Sequence, residues 1–518
     1  MHIQFYRITG CGSAWLERLV WDQEVAGSNP VTPTLGNTTD DKVCCIFFAK
    51  IYKKILWAKK YKIQALFFYN KGRNSDKGEH MKRNLLKKKE FYIAMTGMTL
   101  LAAAMGFVVL SKGGNTDHYL ALFLPILALE AIAILFSLFH GAGLKFPVIC
   151  GILLNTGIGM QCMIQKENAS YGRKEQIILL MALLAAAGMV FLHKKILTKI
   201  TPEIFLILIA LLTAGIYVVL LAVGTSIEGT KAWLNLGPLS LQPTELIKLL
   251  FVYFNTLIFC CMGLSDKKKL LFGGAYFMEN LVFSILIREL GSLALMMILF
   301  AIYCILFLES VRTLLFLGGA GGGLVALAGG GIFFLNKMGR GNGLLIKVQN
   351  RFTGWLHPEL DPLNTGFQAM QAREAMSLGG WFGSDMSVTI PVEESDFIFV
   401  SMILHLGVVA AVLILLLFLA LLVEGIRIYL DQEDPMTIGI LAGCTYYIFA
   451  ESIFMILGST GFFMMTGVPI AFISDGGTAL MTVFMMTALI LYLGRRKPEQ
   501  RKERRKNEKI NKCVIREN

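Results

Sequence analysis

Runs of about 20 apolar residues recur along this chain, and few folds accommodate them. Hydrocarbon offers backbone N–H and C=O groups no water, so each run must satisfy them internally, as an α-helix does. The runs lie near 91–110, 119–139, 146–164, 176–193, 203–224, 245–264, 271–287, 290–309, 314–335, 396–423, 436–457 and 478–494. They predict an all-α polytopic membrane protein with about 12 transmembrane helices counted from Met81. Charge content agrees: 16% of the 518 residues are Asp, Glu, Lys or Arg, against about 25% in soluble domains.

The formal charge of +13 sits mostly at the ends. Residues 495–518 carry +7 and residues 1–80 carry +5, leaving +1 for 81–494. Basic ends on a neutral apolar body fit termini on the cytoplasmic side, beside anionic lipid. Nucleic-acid binding is the other reading of a basic tail, but no recognition fold accompanies it. The short loops carry the same bias: Lys145, then Lys194, Lys195 and Lys199, then Lys267 to Lys269, Arg312 and Arg427 fall on the side of the termini. Lys166, Arg173 and Lys174 are the main exceptions. This scheme places 225–244, the long loop 336–395, and 458–477 on the external side of the membrane.

Residues 1–80 read differently from the rest. Cys11 to Thr34 has no periodicity and resembles read-through of a transfer-RNA gene, and Leu56 to Phe68 is interrupted by Lys59, Lys60 and Lys62. Met81 opens a basic stretch followed by an apolar one, the usual start of such a chain. The expected organisation is therefore a non-genuine or disordered extension over 1–80, a transmembrane domain over 81–494, and a basic cytoplasmic tail over 495–518. The alternative is a genuine basic extension.

Several other chemistries are disfavoured. The ten Cys include no C-x-x-C pair and the seven His no i, i+4 pair, so a zinc site is not expected. The glycine-rich stretch 318–331 lacks the Lys-Ser/Thr of a phosphate loop and lies in an apolar run, where close helix packing explains it.

Four polar motifs interrupt the apolar pattern. The first contains Trp233, Leu236-Gly237, Gln242-Pro243-Thr244-Glu245 and Lys248. Trp233 suits an interfacial anchor, Thr244 a helix cap, and Glu245 with Lys248 an i, i+3 pair that is either a structural ion pair or a substrate contact. The second is Arg288-Glu289-Leu290-Gly291-Ser292, between two apolar runs. The third runs from Arg351 through Pro358, Asp361-Pro362, Gly366-Phe367-Gln368 and Gln371 to Ser395-Asp396-Phe397-Ile398-Phe399, with Asp396 expected to cap the helix that follows. The fourth is Gly467-Val468-Pro469 with Phe472-Ile473-Ser474-Asp475-Gly476-Gly477.

Together, in this order, these motifs resemble the SEDS family of shape, elongation, division and sporulation proteins (FtsW, RodA and SpoVE). The likeness covers about residues 203–494. Thr244 stands for the family's Ser, Phe367 for Tyr and Ser395 for Thr. Departures are Glu289 for Asp, Val392 for Glu with Glu393 adjacent, His405-Leu406 for a Glu-Glu pair, and Asp475 for Tyr. Family members usually have ten spans, two fewer than expected here.

The resemblance implies a SEDS-type helical bundle and a peptidoglycan glycosyltransferase that polymerises lipid II from its undecaprenyl-pyrophosphate form, with inversion. A single positioned base suffices for such a displacement, and Asp361 matches the family's catalytic Asp. Alone, an Asp-Pro pair would read as a turn. Candidate substrate contacts are Arg351, Lys248, Glu245, Trp233, Gln368, Gln371, Asp396 and Ser474. Lys231, Arg340, Lys347 and Arg373 are further cations for the leaving pyrophosphate, with Arg351 and Lys248 preferred. A divalent cation, Mg or Mn, would assist, though no dedicated ligand set is visible. By resemblance the expected partner is a class B penicillin-binding protein, a transpeptidase. The competing readings are a lipid II flippase and a non-catalytic scaffold for that transpeptidase.

Overall fold

A computed structural model describes residues 76–140, 143–227, 229–236, 239–310, 313, 351–361, 363, 366–386, 388–465 and 467–494, all within one compact unit, Ser75–Lys506. Their helices are α1 (Asp76–Ser111), α2 (Thr116–His140), α3 (Lys145–Ile164), α4 (Tyr171–Lys195), α5 (Pro202–Val223), α6 (Thr244–Thr256), α7 (Asp266–Ile287), α8 (Leu290–Phe307), α9 (Phe367–Gly379), α10 (Ile398–Leu430), α11 (Pro435–Ser459) and α12 (Gly477–Leu493). Among the described residues ten apolar segments are long enough to cross a bilayer: Lys89–Ser111 of α1, α2 to α5, α6 with the π-turn Leu257–Cys261 that ends it, α7, α8, α10 and α11. The shorter α12 is also apolar. Eleven of the expected runs thus coincide with helices. The twelfth, 314–335, and the expected tail 495–518 lie outside the described residues, as do residues 1–75. The proposed start at Met81 falls inside α1.

Local chemistry sets several helix ends. Pro202 and Pro435 occupy first helical positions, where a missing N–H costs nothing. Asp434 caps α11 by accepting from Thr437 N at 2.9 Å. The last turn of α4 carries Lys194 and Lys195, which complement the helix dipole. Two cap expectations are corrected. Pro243, not Thr244, precedes α6, and the Thr244 hydroxyl donates instead to Glu289. Phe397 precedes α10 without a side-chain cap, and Asp396 accepts from the Ser395 hydroxyl at 3.2 Å.

Hydropathy sorts the spans. α3, α6 and α11 are mostly buried and have mean hydropathies of only 1.6, 1.6 and 1.7. In α5 and in the most apolar stretch of α10, with mean hydropathies of 3.0 and 3.3, only 28% of the residues are buried. Lipid-facing surface must be apolar, so helices carrying Asn155, Glu245, Lys248 and Ser452 pack at the centre. Two elements were not expected. A three-stranded antiparallel sheet, β1 (Thr225–Ile227), β2 (Thr230–Leu236) and β3 (Leu239–Leu241), fills the loop before α6, with Asn235 opposite Ser240. Helix α9 occupies part of the expected loop 336–395 and packs on α10.

Candidate functional site

The four motifs, far apart in sequence, meet at one end of the bundle. Gln242, entering α6, donates its N–H to the Thr478 hydroxyl of α12 at 3.2 Å. Its side-chain amide donates to Glu289 Oε1 at 3.1 Å, as does the Thr244 hydroxyl at 3.1 Å, and Ser292 Oγ donates to the same oxygen at 2.5 Å. The third and fourth motifs are joined by Asp475 N to Glu394 O at 2.9 Å and by Ser474 Oγ to Ser395 O at 2.8 Å. Arg351 Nη1 reaches Met465 O at 3.4 Å, and Trp355 Nε1 donates to Gly461 O at 2.9 Å. The segment leading to Asp361 is thereby docked on the turn between α11 and α12.

Below this surface lies an ion cluster inside the bundle. Lys248 is 1% exposed. Its ammonium donates to Glu245 Oε1 at 2.5 Å, lies 3.5 Å from Glu451 Oε1, and sits 5.8 Å from the centre of the Tyr447 ring. Tyr447 OH donates to Glu451 Oε1 at 2.6 Å. A cation in this position is tolerable only with such partners. Sequence reasoning missed Glu451. The available signal was a carboxylate in mid-span, one turn after a tyrosine. Glu451 also lines a small recess under Pro469 to Gly476, so it touches both the ion cluster and the fourth motif.

Asp361 follows the 3-10 turn Pro358–Leu360 and is partly buried; its carbonyl accepts from Gly366 N at 2.9 Å, closing a loop that leads into α9. Gln368 and Gln371 lie three residues apart at the start of α9, Gln368 exposed and Gln371 half-buried. His357 and Glu359 are exposed and 3.3 Å apart. The Glu359 carboxyl is held below the usual carboxylate range by its own backbone N–H, with further help from His357 and Arg373. Trp233 is half-buried in β2 and packs against the main core. Lys231 donates to Leu221 O at 2.5 Å. Arg340 and Lys347 lie outside the described residues.

The departures from the expected pattern find physical places. Asp475 accepts from Gln165 at 3.0 Å and pairs with Lys174 at 3.3 Å, which gives one of the cations that depart from the loop-charge pattern a counter-charge. Glu393 accepts from Ser401 Oγ at 2.5 Å and lies 3.8 Å from His405 Nε2. Among the described residues the non-glycine positions with positive φ are Arg288 (62°), Val392 (52°) and Phe472 (67°), one in each of the last three motifs. Backbone held in such conformations is typical of functional surfaces whose surroundings over-determine them. At Val392, the carbonyl accepts from the N–H groups of Ser395, Asp396 and Phe397.

Among the described residues no group of three or more His, Cys, Asp or Glu side chains is placed to hold a metal ion.

Comparison with known proteins fits this arrangement. The family model of FtsW, RodA and SpoVE cell cycle proteins matches residues 145–499. The chain belongs to this family. Stage V sporulation protein E of Bacillus subtilis (strain 168) is 28% identical over 295 residues, 54% of this chain and 75% of that protein. The probable peptidoglycan glycosyltransferase FtsW of Geobacter sp. (strain M18) is 26% identical over 53% of this chain and 74% of its own length. Peptidoglycan glycosyltransferase RodA of Mycobacterium tuberculosis is 24% identical over 54% of this chain, and the alignment spans 61% of that protein. The fold matches a chain of a solved peptidoglycan synthase complex with a TM-score of 0.55 at 21% identity, over 67% of this chain and 96% of that one. The FtsW/RodA/SpoVE match begins at α3, so α1 and α2 stand ahead of the matched region.

Proposed function

We propose that this FtsW/RodA/SpoVE protein is a peptidoglycan glycosyltransferase that polymerises lipid II into glycan strands. The observation that carries the reading is the convergence of four family motifs at one end of the bundle, tied by the Gln242–Thr478, Asp475–Glu394 and Trp355–Gly461 hydrogen bonds. The basic loop residues fall mostly at the opposite helix ends, so the motif end faces outward and both termini face the cytoplasm.

The reaction is one displacement. The acceptor's 4-hydroxyl oxygen attacks the anomeric carbon of the donor sugar, the bond from that carbon to the pyrophosphate oxygen breaks, and configuration inverts. The hydroxyl proton passes to the Asp361 carboxylate, and undecaprenyl pyrophosphate leaves with the bonding electron pair. A pyrophosphate needs no strong acid to depart, so the paired carboxylates of hydrolysing glycosidases are unnecessary. Arg351, docked beside the same turn, is the assigned cation for the developing pyrophosphate charge, a kind of contribution worth roughly 3–4 kcal/mol in preorganised sites. Gln368 and Gln371 offer amides to the sugars. Lys248, held by two carboxylates at 1% exposure, is assigned a supporting role beneath the site. A class B penicillin-binding protein is the assigned partner; the matched fold comes from a synthase complex.

The test is polymerisation of purified lipid II by the full chain, alone and with its transpeptidase. β-linked glycan strands support the assignment. Transfer of lipid II across vesicles with no polymer under either condition contradicts it and favours a transporter.

A further inference from the structure

Helix α10 is broken near its start. Gly407 has φ 86° and ψ 171°, far from helical values. The backbone groups freed there are taken up by the segment that follows α9. Val408 N donates to Gly380 O at 3.0 Å, Val409 N to Trp381 O at 3.2 Å, and Ser384 N to Leu404 O at 2.7 Å. A loop is thus inserted into the hydrogen-bond ladder of a spanning helix. The fit requires glycine: a Cβ at Gly407 would strike the Trp381 carbonyl, and one at Gly383 the His405 carbonyl.

The break marks a boundary in exposure. Ile398 to Leu404 are all buried. From Val408 onward α10 shows an apolar exposed stripe: Val408, Val409, Val412, Leu413, Leu416 and Leu419. From Val408 to the end of α10 is about 23 residues, or about 34 Å, close to the thickness of a hydrocarbon core. The spanning part of α1 ends at Ser111, and the next residue, Lys112, pairs with Asp385 of the inserted loop at 2.8 Å. That contact holds the Asp385 carboxyl below the usual range. Two spans therefore fix the loop at the level where their lipid-facing surfaces begin. At that level Trp381 is 72% exposed, Phe382 81% and Met386 58%.

We propose that Gly379–Met386 is a lipid-contacting wedge, with Trp381 and Phe382 seated in the headgroup–acyl boundary at the end of the bundle that carries the site. Lipid is the occupant because the exposed aromatics continue the exposed apolar surfaces of α1 (Leu100, Phe107 and Leu110) and α10, and because Trp at that depth has an apolar body in the acyl region and an N–H within reach of headgroups. The wedge makes α9, and the Asp361 loop before it, a membrane-anchored element. The proposal is independent of the reaction assigned above.

The test is fluorescence quenching of the full chain in phosphatidylcholine–phosphatidylglycerol vesicles whose phosphatidylcholine is brominated near the headgroup or near the acyl terminus. The difference between wild type and Trp381→Phe isolates Trp381. Phe382→Trp reports the same depth by adding a fluorophore if the first variant does not fold. Expected is about a twofold loss of this component with the shallow bromine, less with the deep one, and little with aqueous iodide, as for an interfacial tryptophan. Quenching by iodide and not by brominated lipid would overturn the proposal, placing the tip in water. Protection from both would overturn it by showing the tip covered by protein.

Discussion

Lys248 on α6 and Glu451 on α11 face each other across the middle of the bundle, 3.5 Å apart and each 1% exposed. With Glu245 at 2.5 Å, two carboxylates share one ammonium. Removing the cation leaves them buried without it. Lys248→Met is therefore expected to cost about 3–5 kcal/mol, read as a lowered thermal midpoint of the detergent-purified protein. Adding Glu245→Gln and Glu451→Gln should recover a large part of that loss. A Lys248→Met protein as stable as wild type would contradict this account of the cluster.

Val392 holds φ 52°, where a β-branched residue is strained. Val392→Gly should stabilise the protein by about 1 kcal/mol, and Val392→Ala by distinctly less, since alanine keeps a Cβ. Thermal unfolding of both variants beside wild type checks the order. Equal midpoints would mean that the surrounding hydrogen bonds to the Val392 carbonyl do not hold that conformation.

Trp355 ties the Asp361 segment to the turn at Gly461 through Nε1 and packs 5.7 Å from the Phe463 ring. Trp355→Phe keeps a ring but loses the donor, worth about 0.5–1.5 kcal/mol. The expected result is a fall in polymerisation kcat of several-fold with a smaller change in overall stability, because the bond fixes one loop and not the bundle. Unchanged kcat would show that the loop is placed by its other contacts.

Much of the fold was legible because hydrocarbon imposes one solution on each apolar run. Eleven of the twelve expected runs coincide with described helices. The strand pair Thr230–Leu236 and Leu239–Leu241 was less visible: the strands are short, and the Gly-Pro between them makes the sequence read first as a loop. Helix α9 was hidden because its buried positions are small, Ala372, Ala375 and Gly379, and give a weak apolar signal. The site was legible as four motifs, but not as a place. Two of the bonds that assemble it, Gln242 to Thr478 and Gln161 to Glu394 at 2.6 Å, join residues more than two hundred positions apart, and no local pattern encodes such bonds. For the same reason Lys248 was read as paired with its neighbour Glu245, while Glu451, from another helix, was missed. The break at Gly407 has no sequence signature, because a lone glycine in an apolar run reads as packing and the loop inserted beside it comes from another segment.

The central claim is that Asp361 takes the acceptor's proton. It is tested most directly by the lipid II polymerisation rate of the full chain carrying Asp361→Asn, reconstituted with its transpeptidase. An amide keeps the size and most contacts of the carboxylate but cannot accept the proton, so the rate should fall by about 10²–10⁴-fold with the folded protein and lipid II binding retained. Glycan strands made at the wild-type rate by the Asp361→Asn protein would contradict the account.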